Sequence, residues 1–295
     1  MNNSALSAQP MSPYIDAHAH VFSRALPLAD GRRYAPSYDA TLDTYLTLLN
    51  EHNFGHAVLV QPSFLGTDNS YLLKALSEQP SRLRGVAVVS HEISDDELAR
   101  MNEGGVTGIR LNLVGQPLPG VGAAPWTTFW RRLSDLGWHV ELHRNASDLA
   151  PLIDSLLKAD LPVVVDHFGR PDPDKGTRDP GFNDLLRFGA SGRVWVKVSG
   201  AYRCTEPDSG FVRDATDRLL DNFGPERLMW GSDWPHTQFE HASDFGRTLS
   251  TLRDLTLEPA ITDAILRSTP RAFYGFDKKP ARDNAPATQT LQRTL

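Results

Sequence analysis

The feature that most constrains the fold is an alternation of short apolar runs with longer amphipathic segments along most of the chain. Several runs are almost continuously apolar and β-branched, which is typical of parallel strands buried on both faces. Eight such runs can be identified: Tyr14–His20, His56–Gln61, Leu83–Val89, Val106–Leu113, His139–His143, Pro162–His167, Val194–Gly200 and Leu228–Asp233. Eight strands favour a (β/α)8 barrel, although a doubly wound open sheet shows the same alternation.

The segments between these runs have apolar residues at helical spacing, so strand and helix alternate and a sandwich is disfavoured. They are Tyr38–Asn53, Asn69–Gln79, Asp95–Glu103, Thr127–Leu136, Ala146–Lys158, Gly181–Phe188 and Asp208–Phe223. A single α/β barrel accommodates a chain of 295 residues. We therefore predict one catalytic domain over residues 13–277, with mobile polar ends at residues 1–12 and 278–295.

Composition argues against several classes of partner. The formal net charge is −6 and no run of Lys or Arg is present, so neither a nucleic acid nor an anionic membrane is expected to bind. Cys204 is the only cysteine, which fits a reducing compartment. The first dozen residues lack the features of a signal peptide, and no stretch approaches the roughly 18 apolar residues of a membrane span. We expect a cytoplasmic protein, and the sequence leaves open whether it forms a homo-oligomer.

Reactive side chains stand at the carboxyl ends of four predicted strands. His18 and His20 are two residues apart, so they share a face of the first strand. His143, His167 and Asp233 close the fifth, sixth and eighth runs. A single strand-end histidine is more often an ordinary polar residue than a ligand, but barrel enzymes place their catalytic groups at this end of the strands. The convergence therefore predicts an active site.

The stretches YIDAHAHVF, VVVDHFGRP and GSDWPH, which carry these residues, resemble the amidohydrolase superfamily. Within it they are most similar to the branch of lactonases that act on 2-pyrone-4,6-dicarboxylate and on sugar acids. The similarity runs from Tyr14 to Phe276 and includes GTDN at Gly66–Asn69, RLN at Arg110–Asn112, GWHVEL at Gly137–Leu142 and KVSG at Lys197–Gly200. The resemblance implies a (β/α)8 barrel of the amidohydrolase type and a role in the breakdown of aromatic compounds or sugar acids.

The resemblance also implies an activity. The chain would hydrolyse a carboxylated lactone, with Asp233 as the general base for the attacking water. His18, His20 and His167 would hold or polarise the carbonyl oxygen, where negative charge develops. The alternative is a zinc-dependent decarboxylase of the same superfamily. A non-catalytic barrel that only binds a small acid is disfavoured, because it would not need Asp233 beside GSDWPH.

The substrate expected from the resemblance is a small anionic lactone, because lactonases of this kind bind substrate carboxylates with arginines. A guanidinium pairs with a carboxylate through two hydrogen bonds. The candidate substrate-binding residues are Arg110, Arg170, Arg203, His143, Tyr38, Ser63 and Thr67. Two positions depart from the dicarboxylate lactonases: Gln116 stands where a second arginine is expected, and His143 stands where a tyrosine is expected.

The metal requirement stays open at this point. His18, His20, His143 and Asp233 would make a three-nitrogen, one-oxygen site for a single Zn2+. Against this, the lactonases that the chain resembles include members that work without metal. The fourth run offers Arg110 and Asn112 in place of the bridging ligand of binuclear relatives, so a binuclear site is not expected. The prediction is either no required cofactor or one divalent metal ion.

Overall fold

Eight parallel strands form the centre of the molecule. The computed structural model describes residues 13–204, 210–255 and 258–277. The strands are β1 (Tyr14–Ala19), β2 (Phe54–Val60), β3 (Leu83–Ala87), β4 (Val106–Asn112), β5 (His139–His143), β6 (Val163–Val165), β7 (Val194–Val198) and β8 (Leu228–Trp230). They pair in chain order, and every pair is parallel.

Two backbone hydrogen bonds join the first strand to the segment after the last. His20 N donates to the carbonyl oxygen of Trp234, and Asp233 N donates to that of His18, both at 2.8 Å. These bonds bring the two ends of the sheet together, so the sheet curls into a barrel instead of staying open. The predicted (β/α)8 barrel is therefore confirmed, and the doubly wound alternative is excluded.

Helices follow the strands on the outside of the barrel. They are α1 (Leu42–Glu51), α2 (Ser70–Glu78), α3 (Asp95–Glu103), α4 (Trp126–Asp135), α5 (Leu149–Lys158), α6 (Pro180–Leu186), α7 (Phe211–Phe223), α8 (Phe245–Leu255), α9 (Pro259–Asp263) and α10 (Thr269–Phe273). Each predicted helical segment overlaps one of α1 to α7, with α4 and α6 beginning one residue earlier than predicted, whereas α8 to α10 were not predicted. The chain ends expected to be mobile, 1–12 and 278–295, and the expected helix start at Asp208 lie outside the described residues. Across the described ranges no helix has the length and apolarity needed to cross a bilayer.

Apolar side chains fill two layers. The larger layer lies between strands and helices and includes Trp130, Leu152 and Phe182. The smaller layer lies inside the barrel, where residues such as Val58 and Met229 pack together with Tyr274 and Phe276. Because apolar side chains occupy this layer, the charged groups of the barrel interior gather at the opposite, carboxyl end of the strands.

Asp16 holds β1 against the segment that follows β8. Its Oδ1 accepts a hydrogen bond from Ser232 N at 2.8 Å, and its Oδ2 accepts from Ser232 Oγ at 2.5 Å and from Tyr45 Oη at 2.7 Å. Burial raises the pKa of this carboxyl group to about 6, against the lowering effect of these hydrogen bonds. Since Ser232 directly precedes Asp233, the same contacts fix where the predicted general base enters the barrel mouth.

Candidate active site

The predicted catalytic residues meet at the carboxyl end of the barrel, and all of them are buried. His18 lies within β1, but His20, His167 and Asp233 lie just beyond the ends of their strands. The sequence prediction that these three residues belong to the strands is wrong. The chain has already turned at His167 (φ 50°) and Asp233 (φ 59°), in a backbone region that residues other than glycine rarely adopt. Such conformations are concentrated at functional sites.

Asp233 has one engaged and one free carboxylate oxygen. Its Oδ2 accepts hydrogen bonds from Arg203 Nε at 2.6 Å and from Tyr202 Oη at 2.7 Å. Its Oδ1 lies 3.6 Å from His20 Nε2 and 3.9 Å from His18 Nε2, and has no hydrogen-bond partner among the described residues. Burial would raise the pKa of Asp233, but the Arg203 guanidinium holds it well below its ordinary value. The residue is thus an ionised carboxylate with an oxygen available to a water molecule.

Two histidines present a lone pair to the site. His20 Nδ1 donates to the carbonyl oxygen of Val60 at 2.7 Å, and His143 Nδ1 donates to Asn112 Oδ1 at 3.0 Å. Burial lowers the pKa of both rings, so both are neutral and each keeps an unprotonated Nε2. The expectation that His20 donates to the substrate carbonyl therefore needs correction, because its only hydrogen is already used by Val60.

His167 lies between the other histidines. Its ring centroid is 4.9 Å from that of His18 and 5.2 Å from that of His143. Its Nδ1 is 2.9 Å from Ser199 Oγ, which fixes the ring on the side of β7. Burial lowers the pKa of His167 to about 3, so it is neutral at physiological pH. The three predicted catalytic histidines therefore surround one space beside Asp233.

A fully buried network of charges lies behind His18. Lys197 contacts the carboxylate of Glu141, and its Nζ is 3.0 Å from His18 Nδ1. Asp166 Oδ1 lies 3.3 Å from the same nitrogen, and Asp166 Oδ2 lies 3.6 Å from Arg110 NH1. Burial, together with the nearby charge of Asp166, raises the pKa of Glu141 to about 8. Sequence reasoning assigned no role to Lys197, although a lysine inside the apolar run VWVKVSG is a visible signal.

The site opens into a cavity of about 140 Å3. Five of the seven predicted substrate-binding residues line it: Ser63, Arg110, His143, Arg170 and Arg203. Arg110 and Arg203 are paired with carboxylates, whereas Arg33 and Arg170 have no ion-pair partner in the described part of the chain. Sequence reasoning missed Arg33 and Tyr34, which also line the cavity. They come from an irregular segment after β1 that offers no local pattern.

The remaining predicted substrate-binding residues do not line this cavity. The Tyr38 hydroxyl donates to Glu240 Oε1 at 2.6 Å instead. Thr67 is exposed on the loop before α2, where its carbonyl oxygen accepts a hydrogen bond from Asn69 Nδ2. Gln116 is exposed and also lies away from the cavity lining. Gln116 itself therefore contributes nothing to the cavity wall.

The structure brings together three of the four predicted metal ligands. His18, His20 and Asp233 offer donor atoms that all lie within 4.8 Å of one another, as do His18, Asp166 and His167. His143 belongs to neither group, because its ring is held to Asn112 on β4. The lone pair of His20 Nε2 and the free oxygen of Asp233 suit a divalent cation. Whether His18 can complete the set depends on which of its nitrogens carries the hydrogen.

The chain is similar to known lactone hydrolases over most of its length. It is 32% identical to a 2-pyrone-4,6-dicarboxylate hydrolase of Comamonas testosteroni, over 88% of this chain and 89% of that protein. It is 30% identical to a 4-sulfomuconolactone hydrolase of Rhizobium radiobacter, with the same coverage of both. Among solved structures, one described as a 2-pyrone-4,6-dicarboxylic acid hydrolase from Pseudomonas putida is 48% identical. It superposes with a TM-score of 0.85, covering 90% of this chain and 99% of that one.

More distant structures share the fold alone. They include a zinc-bound amidohydrolase from Burkholderia multivorans at 20% identity and a manganese-bound dihydroxybenzoic acid decarboxylase from Polaromonas at 16% identity. The sequence model of the amidohydrolase family matches residues 15–276, which include the whole barrel except Tyr14 and every catalytic residue discussed above. This chain belongs to the amidohydrolase family.

Proposed function

We propose that this chain is a hydrolase that opens an anionic lactone by attack of water on the ring carbonyl. The observation that carries the proposal is the free, buried Oδ1 of Asp233, which faces a cavity lined by four arginines. The relatives at 32% and 30% identity are hydrolases of a dicarboxylated and a sulfonated lactone, and both substrates are anions. A cavity rich in arginine suits substrates of this charge.

Asp233 is placed to bind and deprotonate the water. A water molecule beside its free Oδ1 can donate a hydrogen to that oxygen. As the water oxygen bonds to the carbonyl carbon, its proton passes to Asp233. When the tetrahedral intermediate collapses, the ring C–O bond breaks, and the leaving oxygen takes that proton back. The product is the ring-opened acid.

The arginines divide into two pairs by function. Arg203 is committed to Asp233 and keeps this carboxylate ionised, and Arg110 is paired with Asp166. Arg33 and Arg170 carry no ion pair within the described ranges and are free to bind the anionic groups of the substrate. Bidentate pairing there would orient the ring so that its carbonyl faces Asp233.

The decarboxylase alternative has weaker support. The decarboxylases that share this fold are only 16% identical to the chain, whereas the lactone hydrolases are 30–48% identical. If a divalent cation bound to His18, His20 and Asp233, it would supply Lewis acidity at the carbonyl oxygen. The roles of the arginines and of His20 Nδ1 would be unchanged.

The test is to measure the hydrolysis of a panel of carboxylated lactones by monitoring proton release, with and without a strong chelator. We expect wild-type turnover and a fall of about 100-fold or more in kcat for Asp233→Asn, the usual contribution of a general base. Asp154→Asn, which changes an exposed aspartate on α5, serves as the matched control and should retain full activity. Release of CO2 from aromatic acids without turnover of any lactone would instead support the decarboxylase.

A further inference from the structure

We propose that Lys197 is a positioning residue that fixes His18 in the tautomer with its hydrogen on Nε2. In this form His18 donates from Nε2 to the lone pair of His20 and has no lone pair of its own there for a metal ion. The inference depends only on the contacts around the ring and does not require the proposed function.

The first contact is that of Lys197 with His18. Lys197 Nζ lies 3.0 Å from His18 Nδ1, and both side chains are fully buried. A lysine ammonium group has three hydrogens to donate and no lone pair to accept with. The hydrogen bond can therefore run in one direction only, and His18 Nδ1 must be the acceptor. The hydrogen of the neutral ring then sits on Nε2.

Two acidic side chains neighbour Lys197 Nζ. The lysine contacts Glu141 directly, and Asp166 Oδ1 lies 3.7 Å from its Nζ. These carboxylates could instead accept a hydrogen from His18 Nδ1. However, Asp166 Oδ1 and Glu141 Oε1 lie 3.3 and 3.6 Å from His18 Nδ1, farther than Lys197 Nζ at 3.0 Å. The shortest contact of His18 Nδ1 is the one with the lysine.

The second contact fixes the same tautomer from the opposite side. His20 Nδ1 donates to the Val60 carbonyl oxygen at 2.7 Å, so His20 Nε2 is an acceptor. That nitrogen lies 3.3 Å from His18 Nε2, so in the metal-free protein a hydrogen on one of the two relieves the contact between their lone pairs. His18 Nε2 therefore carries the hydrogen. The contact with Lys197 at one end of this series of hydrogen bonds and the contact with Val60 at the other end therefore assign the same tautomer to His18.

The tautomer has a consequence for metal binding. The hydrogen on His18 Nε2 occupies the lone-pair position that a metal ligand needs. The group formed by His18, His20 and Asp233 thus has one donor atom fewer than its spacing suggests. Lys197 therefore disfavours metal binding through His18.

The experiment is a titration of the metal-free, full-length protein with Co2+, in which visible absorption reports the bound ion. In Lys197→Met the ring can instead donate from Nδ1 to Asp166 Oδ1, which is 3.3 Å away, and Nε2 becomes a ligand. We expect Lys197→Met to bind Co2+ at least about tenfold more tightly than wild type, the range over which partners of ligand histidines act. Lys197→Arg retains a donor and is the matched control, expected to behave like wild type.

Further variants keep the test decisive. The Co2+ binding gained by Lys197→Met should disappear when His18→Gln is added, since it depends on that ring. If loss of the lysine charge prevents folding, Glu141→Gln in the same chain removes the carboxylate left without its partner. Wild type that binds one Co2+ through His18 as tightly as Lys197→Met would overturn the proposal. So would histidine 15N NMR that shows the hydrogen of His18 on Nδ1 in wild type.

These readouts separate the two proposals, because neither metal affinity nor the NMR signal requires turnover. If no lactone is hydrolysed but the Co2+ titrations behave as expected, only the proposed function fails. If lactones are hydrolysed but Lys197→Met binds Co2+ no better than wild type, the role of Lys197 fails.

Discussion

Gly200 lies two residues after β7, against the reactive groups of the site. Its backbone has a φ of 53°, in the left-handed region that favours glycine. A Cβ atom added there would lie 2.8 Å from His167 Nδ1 and 3.0 Å from Asp233 Oδ2. The glycine therefore allows the chain to turn and also leaves room for the base and the histidine to stand close to the strand. Position 200 therefore requires a residue that tolerates a left-handed backbone and that has no side chain.

Replacement of Gly200 by alanine should affect activity more than stability. The left-handed backbone costs an alanine about 1–2 kcal/mol of stability. The clash also displaces His167 and Asp233, and a misplacement of such groups lowers kcat by about 10–100-fold. The matched control is Gly192→Ala, where φ is 68° and no atom lies within 4 Å of the added Cβ. Steady-state kinetics and urea unfolding should show a similar loss of stability in both variants, with full activity in Gly192→Ala. Equal activity in the two would mean that the clash is relieved without cost.

At the scale of elements, the sequence predicted most of the barrel because buried parallel strands are apolar on both faces. The predicted strands extend beyond the observed ends of β1, β6 and β8. His20, His167 and Asp233 continue the strand-like sequence pattern, but the backbone turns away from the strand before it reaches them. Two cavity-lining residues could not be found in this way. Arg33 and Tyr34 reach the cavity from an irregular segment, so only the assembled fold places them there.

Asp16 is the element-scale contact that joins β1 to the end of β8. In Asp16→Asn the amide nitrogen replaces an oxygen that accepts from Tyr45 and Ser232, so buried donors lose their acceptor. We expect a loss of about 2–3 kcal/mol in the free energy of unfolding. Tyr45→Phe removes one of these bonds and should cost about 1 kcal/mol. Urea denaturation measures both. Similar losses in the two variants would show that the bond to Tyr45 provides most of the contribution of Asp16.

At the scale of the whole molecule, the interior holds its histidines in the neutral form. Burial lowers the pKa values of His18, His20, His143 and His167 at one end of the barrel and that of His139 near the other. Each ring must gain a proton when the chain unfolds in acid. A group with a lowered pKa contributes stability that is present above its ordinary pKa and is lost as the pH falls toward the folded value. The fold should therefore weaken between about pH 7 and pH 5, above the range in which exposed carboxylates are protonated.

His139 allows this prediction to be tested away from the active site. Its ring packs against Phe273 and Tyr274 with centroid separations of 5.0 and 5.5 Å, and burial lowers its pKa from 6.5 to about 3. Between pH 7.5 and pH 5 the unfolded chain gains a proton that the native ring does not. This costs about 2 kcal/mol of stability. His139→Phe has no proton to gain, so its free energy of unfolding should fall by about 2 kcal/mol less over this interval. Above pH 7.5 the two curves should run parallel. Urea unfolding at a series of pH values measures the difference, and equal acid sensitivity in the two proteins would show that His139 is protonated in the native state.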